Sequence, residues 1–292
     1  MQDYILRGTA MNNKVRVFAV LSTQIVEELR GRHHTTPVTT AAMGRTVSIG
    51  AMMGAMLKNG QRLTIQVKGD GPIGEIVVDA NSNGEVRGYV KNPHVDLPLN
   101  EKGKLDVRGA VGSEGFIYVV KDFGMKEPYR GSTPIISGEI GDDFTYYFSK
   151  SEQIPSIVAV GVLIDRDSSV KISGGFIIQV LPGIEDEDIN QIEEKIASVR
   201  SVTSLLEQGS TLESIIEEIV GPLHVLEQSG LVFKCRCSHE RVEQTLISLG
   251  QQELDEILEE DGQAEIVCDF CNERYFFSGE QIGELIDKLK SK

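Results

Sequence analysis

The residues of this 292-residue chain best suited to chemistry are four cysteines near its C-terminus: Cys235 and Cys237 in Cys-Arg-Cys, and Cys268 and Cys271 in Cys-Asp-Phe-Cys. The pairs stand 30 residues apart, enough chain for two small helices between them. Four thiolates complete a closed tetrahedral site, which suits a structural zinc and leaves no open position for hydrolysis. Cys235, Cys237, Cys268 and Cys271 are therefore the candidate ligands of one zinc ion. His239 follows Cys237 by two residues but is read as a surface histidine, because four thiols already satisfy the metal. Zinc–thiolate centres divide into inert staples and redox sensors. The uncommon Cys-x-Cys spacing favours the sensor, since a disulfide closed over one intervening residue is expected to be strained and easily reduced. Structural zinc contributes about 10–16 kcal/mol of apparent binding free energy that is also folding free energy. Whole domains have about 5–15 kcal/mol of net stability. Oxidation of the thiolates is thus expected to release zinc and unfold the segment that carries them.

The segment holding these cysteines, 231–292, has two short helical patterns (around Val242–Leu249 and Leu254–Leu258), strand-like Ala264–Val267, and a last helix after Ser278, which Gln281 can help cap. So little apolar content makes a marginal core that needs a metal staple. Upstream, 183–230 reads as a helical linker. Acids crowd its first turn, and Ile189, Ile192 and Ile196 share one helical face. A second helix is expected from Ser210, with Ser210 and Glu213 as a capping box, an apolar stripe of Leu212, Ile215, Ile216 and Ile219, and Gly221-Pro222 as its end. The linker carries 11 acids against 2 bases, Lys195 and Arg200. Its apolar stripes need cover, from the zinc segment or from the rest of the chain.

Residues 1–182 mix strand and helix patterns into a large α+β domain. Arg62–Val67, Gly74–Asp79 and Val86–Lys91 form an antiparallel meander with turns at Asp70-Gly71-Pro72 and Asn81–Gly84. Further strands are expected at Val15–Leu21, Gly115–Val120, Ile157–Leu163 and Ile172–Val180, and a helix over Thr36–Leu57. The fold class is α+β: a large mixed N-terminal domain, a helical linker and a small C-terminal zinc-binding domain. A 40% hydrophobic content supports a sizeable core. The N-terminus lacks a basic start followed by an apolar run, and no stretch approaches the roughly 18 apolar residues of a membrane span. A cytoplasmic protein without membrane contact is expected.

Several segments together resemble a known family: Val67-Lys-Gly-Asp-Gly-Pro-Ile-Gly74, Tyr147-Phe-Ser-Lys-Ser-Glu-Gln-Ile-Pro155, Gly174-Gly-Phe-Ile-Ile-Gln-Val-Leu-Pro182, Phe233-Lys-Cys-Arg-Cys-Ser238, and Glu260-Asp-Gly262 before Cys268-Asp-Phe-Cys271. Over essentially its whole length the chain resembles the redox-regulated bacterial heat-shock holdases, the thirty-three-kilodalton chaperonins. The resemblance implies a stress-response chaperone that uses no ATP and is inactive when reduced and zinc-bound. On oxidation, it implies, Cys235 pairs with Cys237 and Cys268 with Cys271, zinc leaves, the linker unfolds with the zinc module, and unfolded client proteins are held by a form that is often a homodimer.

Rival chemistries fare worse. A thiol oxidoreductase using Cys268 and Cys271 is the alternative, but such a dithiol wants a cysteine at a helix N-terminus, and Cys271 is followed by a turn and strand pattern. Gly69-Asp-Gly-Pro-Ile-Gly74 satisfies G-x-G-x-x-G, yet Pro72 and the strand-like Glu75–Asp79 make it a β-turn. His33-His34 reads as a solvated loop. No catalytic residue and no cofactor site beyond the zinc ligands is assigned. A nucleic-acid partner is disfavoured by the formal net charge of −15 and, in 231–292, by 7 bases against 14 acids.

Overall fold

Alternating apolar residues fold the first part of the chain into two sheets with one long helix packed against both. The computed structural model describes residues 2–199 and 201–290, so Arg200, counted above in the linker's charge, lies outside the described residues. The chain divides into two units, the first ending at Lys234 and the second beginning at Cys235. In chain order the first unit opens with β1 (Tyr4–Ala10), β2 (Val15–Leu21), α1 (Thr23–His33), α2 (Pro37–Gly54), β3 (Arg62–Gly69), β4 (Glu75–Asn81) and β5 (Glu85–Val90). It continues through α3 (Val107–Val111), β6 (Gly115–Asp122), β7 (Tyr129–Pro134), α4 (Ile140–Lys150), β8 (Ser156–Ile164) and β9 (Val170–Val180). It closes with α5 (Asp186–Ser198), α6 (Val202–Glu207), α7 (Leu212–Val220), β10 (His224–Gly230) and β11 (Val232–Phe233).

The first sheet has the order β10-β1-β2-β9-β8, and the second β11-β5-β4-β3-β6-β7. All pairings are antiparallel except the short β11–β5 contact. The meander expected over 62–91 is β3-β4-β5. Between β3 and β4 the G-x-G-x-x-G run is a turn, with the Gly74 N–H donating to the Gly71 carbonyl at 3.0 Å and Gly74 at φ 78°. A Cβ on Gly69 would lie 1.9 Å from the Val111 carbonyl, so close backbone packing is what requires glycine there. No helix opens at this turn, and the dinucleotide motif has no structural counterpart.

Helix α2 packs on strands of both sheets, and 16 of its 18 residues are buried, which leaves it no polar face. Its hydroxyls turn back onto the helix: Thr46 bonds the Ala42 carbonyl at 3.0 Å and Ser48 that of Gly44 at 2.8 Å. Small residues let the layers close. A Cβ on Gly44 would meet Val26 at 2.7 Å and Val162 at 2.8 Å.

The first sheet is apolar on both faces. Ile5, Phe18, Val20 and Ile177 face the core that contains α2. Leu6, Val15, Val17, Ala19, Leu21, Phe176 and Ile178 belong to a second cluster on the opposite face. Its remaining buried side chains include Ile192 of α5, Val202 and Leu206 of α6, and Leu212, Ile215, Ile216, Ile219 and Val220 of α7. The cover for the linker's stripes is therefore the outer face of this sheet. Each fully buried aliphatic side chain is worth about 1.5–3 kcal/mol over leaving it exposed.

One local expectation is corrected. The capping box of α7 is formed by Thr211 and Ser214, one residue beyond the expected Ser210 and Glu213: Ser214 N–H donates to Thr211 Oγ1 at 3.2 Å and Thr211 N–H to Ser214 Oγ at 3.1 Å. Glu213 instead accepts from the Tyr4 hydroxyl at 3.4 Å. Helix α7 ends at Val220, as expected. Gly221-Pro222 stops it, and His224–Gly230 pairs with the edge of β1, satisfying that strand's backbone.

The second unit contains α8 (His239–Leu249), α9 (Gln251–Glu260), β12 (Gln263–Val267), β13 (Arg274–Ser278) and α10 (Gly279–Lys290). Its buried core is Val242, Leu246, Leu254, Phe277, Ile282, Leu285 and Ile286, a cluster too small to be comfortable alone. Ser278 and Gln281 cap α10 reciprocally, at 2.9 and 3.3 Å. Among the described residues no helix is long and apolar enough to cross a membrane.

The tight seat of α2 makes a direct prediction. Gly44→Ala gains helix propensity, roughly 1 kcal/mol, but forces a methyl against two valines, and overpacking costs about 1–3 kcal/mol. Urea unfolding should show net destabilisation; a more stable variant would contradict the tight packing of α2.

Candidate metal centre

The two cysteine pairs reach one point by different local devices. Cys268 and Cys271 sit in the turn joining β12 to β13, a hairpin whose register runs from Gln263↔Ser278 to Val267↔Arg274. That turn is closed by the Cys268 N–H donating to the Glu273 carbonyl at 2.9 Å and the Asn272 N–H to the Cys268 carbonyl at 2.8 Å. Asn272 takes φ 60°, a left-handed conformation that asparagine tolerates. Cys235 and Cys237 lie on the extended segment before α8. Ser238 caps that helix by accepting from the Arg241 N–H at 3.3 Å, and Arg241 Nη1 donates to the Arg236 carbonyl at 2.7 Å, fixing the backbone between the two cysteines.

All four sulfurs lie within 4.8 Å of one another. Two separations cross between the pairs, 3.3 Å from Cys237 to Cys271 and 3.7 Å from Cys235 to Cys268. A tetrahedron of sulfurs about 2.3 Å from a central zinc has edges of roughly 3.8 Å, so the donor set and its spacing suit that ion. The backbone N–H groups of Phe270 and Cys271 donate to the Cys268 sulfur, and that of Glu273 to the Cys271 sulfur. Such contacts favour thiolate and orient ligands from outside the first coordination sphere.

Burial dominates the electrostatics at the cluster. It pushes the Cys268 and Cys271 thiols up; the neighbouring sulfurs of Cys237, Cys235 and Cys268 add to the rise at Cys271, whereas at Cys268 the Cys271 sulfur opposes it and that of Cys235 adds to it. An oxidoreductase dithiol needs the reverse, a lowered thiol. A bound dication inverts the local balance by deprotonating its thiol ligands outright. The Tyr275 hydroxyl hydrogen-bonds Cys237, and that bond together with burial pushes its ionisation up. Tyr275 and the three N–H donors escaped the sequence reading. The tyrosine's position on β13 was visible only as a strand pattern, and backbone direction leaves no residue-type signal.

His239 stands apart from the sulfur group. Its ring lies 4.6 Å from that of Phe277, and Nδ1 faces a Glu243 carboxylate oxygen at 3.4 Å. In the first unit, His33 is the half-buried last residue of α1 and not part of a solvated loop, whereas His34, its exposed cap at φ 51°, lies in the turn.

Comparison with known proteins agrees with this architecture. The family model described as Hsp33 protein matches residues 3–278. The 33 kDa chaperonin of Bacillus mycoides (strain KBAB4) is 51% identical over 291 residues, covering 99% of this chain and 100% of that protein. That of Bacillus cereus (strain B4264) is 50% identical with the same coverage. The crystal structure of the 33 kDa chaperonin from Thermotoga maritima superposes with a TM-score of 0.94 at 39% identity, covering all of both chains. The chain belongs to the Hsp33 family of chaperones.

Proposed function

We propose that this chain is a redox-regulated, ATP-independent holdase of the cytoplasm that binds unfolding or oxidatively damaged proteins and keeps them from aggregating. The observation that carries the reading is an all-sulfur cluster set on a unit with seven buried core residues. Zinc, one per chain, would tie the Cys235/Cys237 and Cys268/Cys271 pairs into a single closed centre. The reduced chain is the inactive form. A two-electron oxidant removes two electrons from each pair as one S–S bond forms, Cys235 to Cys237 and Cys268 to Cys271. The cross-link between the pairs is then lost, and the marginal core of the second unit melts.

Client binding follows from the linker. Freed from the outer face of the first sheet, α5–α7 expose Ile192, Leu212, Ile215, Ile216 and Ile219, while the linker's 11 acids against 2 bases keep it soluble. The uncovered surface recognises exposed apolar chain and not base edges or phosphates. Activated chains are expected to pair as homodimers. No catalytic step is required, so the chain is a binder and not an enzyme.

Three outcomes test this reading. Reduced protein should carry one zinc by native mass spectrometry, and Cys268→Ser should lose it and make residues 235–290 protease-sensitive; retention of wild-type zinc affinity would overturn the ligand assignment. Because burial holds the Cys268 and Cys271 protons in the metal-free centre, zinc uptake at neutral pH must expel them, and affinity should fall as pH falls. Zinc titration in weak buffer should acidify the solution, and a pH-independent affinity would contradict thiolate ligation. Ile216→Glu removes a fully buried side chain, a loss of about 2–5 kcal/mol before any charge is considered. Reduced, zinc-loaded Ile216→Glu should suppress thermal aggregation of a model client without oxidant; a loosened linker with no such activity would show that linker release is not the activating step.

A further inference from the structure

The linker's cover belongs to the first unit, so an oxidant could act on that cover without passing through the cysteines. β1 and β2 are joined by the four residues Met11-Asn12-Asn13-Lys14, the first three at φ 48°, 54° and 64°. Met11 is half-buried and packs against the cluster shared by the outer sheet face and the linker helices. The same turn holds the start of the linker. The Leu181 N–H donates to the Lys14 carbonyl at 2.8 Å, and Lys14 Nζ pairs at 3.8 Å with Glu185, the N-cap residue of α5.

The other methionines are placed differently. Met43, Met52 and Met53 are fully buried in the inter-sheet core, Met56 packs at its margin, and Met125 is 65% exposed. Among the described methionines, Met11 alone combines solvent access with packing on the linker cluster. Helix α5, whose N-cap residue pairs with Lys14 of this turn, has a single buried side chain, Ile192, so little apolar contact holds it in place.

We propose that Met11 is a second oxidant-sensing site, whose conversion to the sulfoxide loosens α5 while the cysteine centre stays intact; its link to client binding rests on the linker-release reading above. A hydroperoxide such as hydrogen peroxide transfers one oxygen to the thioether sulfur. The S–O bond forms as the O–O bond breaks, the sulfur gives up two electrons, and the peroxide leaves as water. The product replaces a flexible apolar group by a polar, chiral one, and methionine sulfoxide reductases reverse it, so the change has the reversibility a switch requires.

The test uses the full chain. Protein is treated with hydrogen peroxide, then with dithiothreitol and zinc, which restore the cysteine centre and leave methionine sulfoxide in place. Peptide mass spectrometry should find Met11 oxidised several-fold faster than Met43, Met52 and Met53. Hydrogen exchange over Asp186–Ser198 should be several-fold faster than in untreated protein, return to the starting rate after sulfoxide reductase, and stay unaccelerated in Met11→Leu. Met125→Leu should retain the acceleration. Oxidation of Met11 no faster than that of the buried methionines, acceleration that persists in Met11→Leu, or acceleration lost in Met125→Leu would each overturn the proposal. Loosened α5 without suppression of client aggregation would uphold Met11 as the site and count instead against linker release as the activating step.

Discussion

A sheet that is apolar on both faces must be covered on both. β1, β2 and β9 place Ile5, Phe18 and Ile177 toward the core containing α2, and Leu6, Val17, Phe176 and Ile178 the other way. The inner cover is permanent, because α2 is buried almost all round and locked by small residues against two sheets. The outer cover is three short helices joined by turns. Only α7 of these carries a broad apolar stripe; α5 contributes one buried side chain. The same strands thus have one partner buried almost all round and one held by fewer buried side chains, the asymmetry on which the proposed release of the linker rests.

The second unit meets a different constraint. Seven buried side chains and a two-stranded hairpin do not make an independently stable module, and the four sulfurs sit where the hairpin turn meets the segment leading into α8. A metal there would connect two parts of the unit far apart in sequence, so the gain in folding and the sensitivity to thiol chemistry come from the same bonds. Between the last linker helix and Cys235 the chain is not slack. β10 is paired to β1, Leu231 is buried in the inter-sheet core, the Val232 N–H donates to the Gly84 carbonyl at 2.9 Å, and Lys234 pairs with Glu85 at 2.6 Å. Melting of the second unit must displace these contacts to reach α7.

Much of this was legible in residue order. The four cysteines announce themselves because thiol chemistry depends on residue type and spacing. The β3–β5 meander follows from alternation between turn-forming residues, and α2 from a long run of small and apolar side chains. β10 was hidden because nearly every residue in it is exposed and leaves no alternation to read. The cap of α7 was misplaced by one residue because Ser210 and Thr211 are both able caps, and only the tertiary contact between Tyr4 and Glu213 shows which acid is engaged elsewhere. Which surface covers the linker stripes could not be read at all. A helical stripe shows that an apolar partner is needed without naming it, and here the partner is the second face of strands whose first face was already assigned to the core.

The central claim is that oxidation of the cysteine centre uncovers the outer face of the first sheet. Hydrogen exchange of α6 and α7, followed in the full chain through oxidation and re-reduction with zinc, measures this most directly. The account predicts that amide protection in Val202–Glu207 and Leu212–Val220 is lost as zinc leaves and client binding appears, and returns when the thiols and zinc are restored. Client binding by a zinc-free, oxidised chain whose α6 and α7 remain fully protected would contradict it.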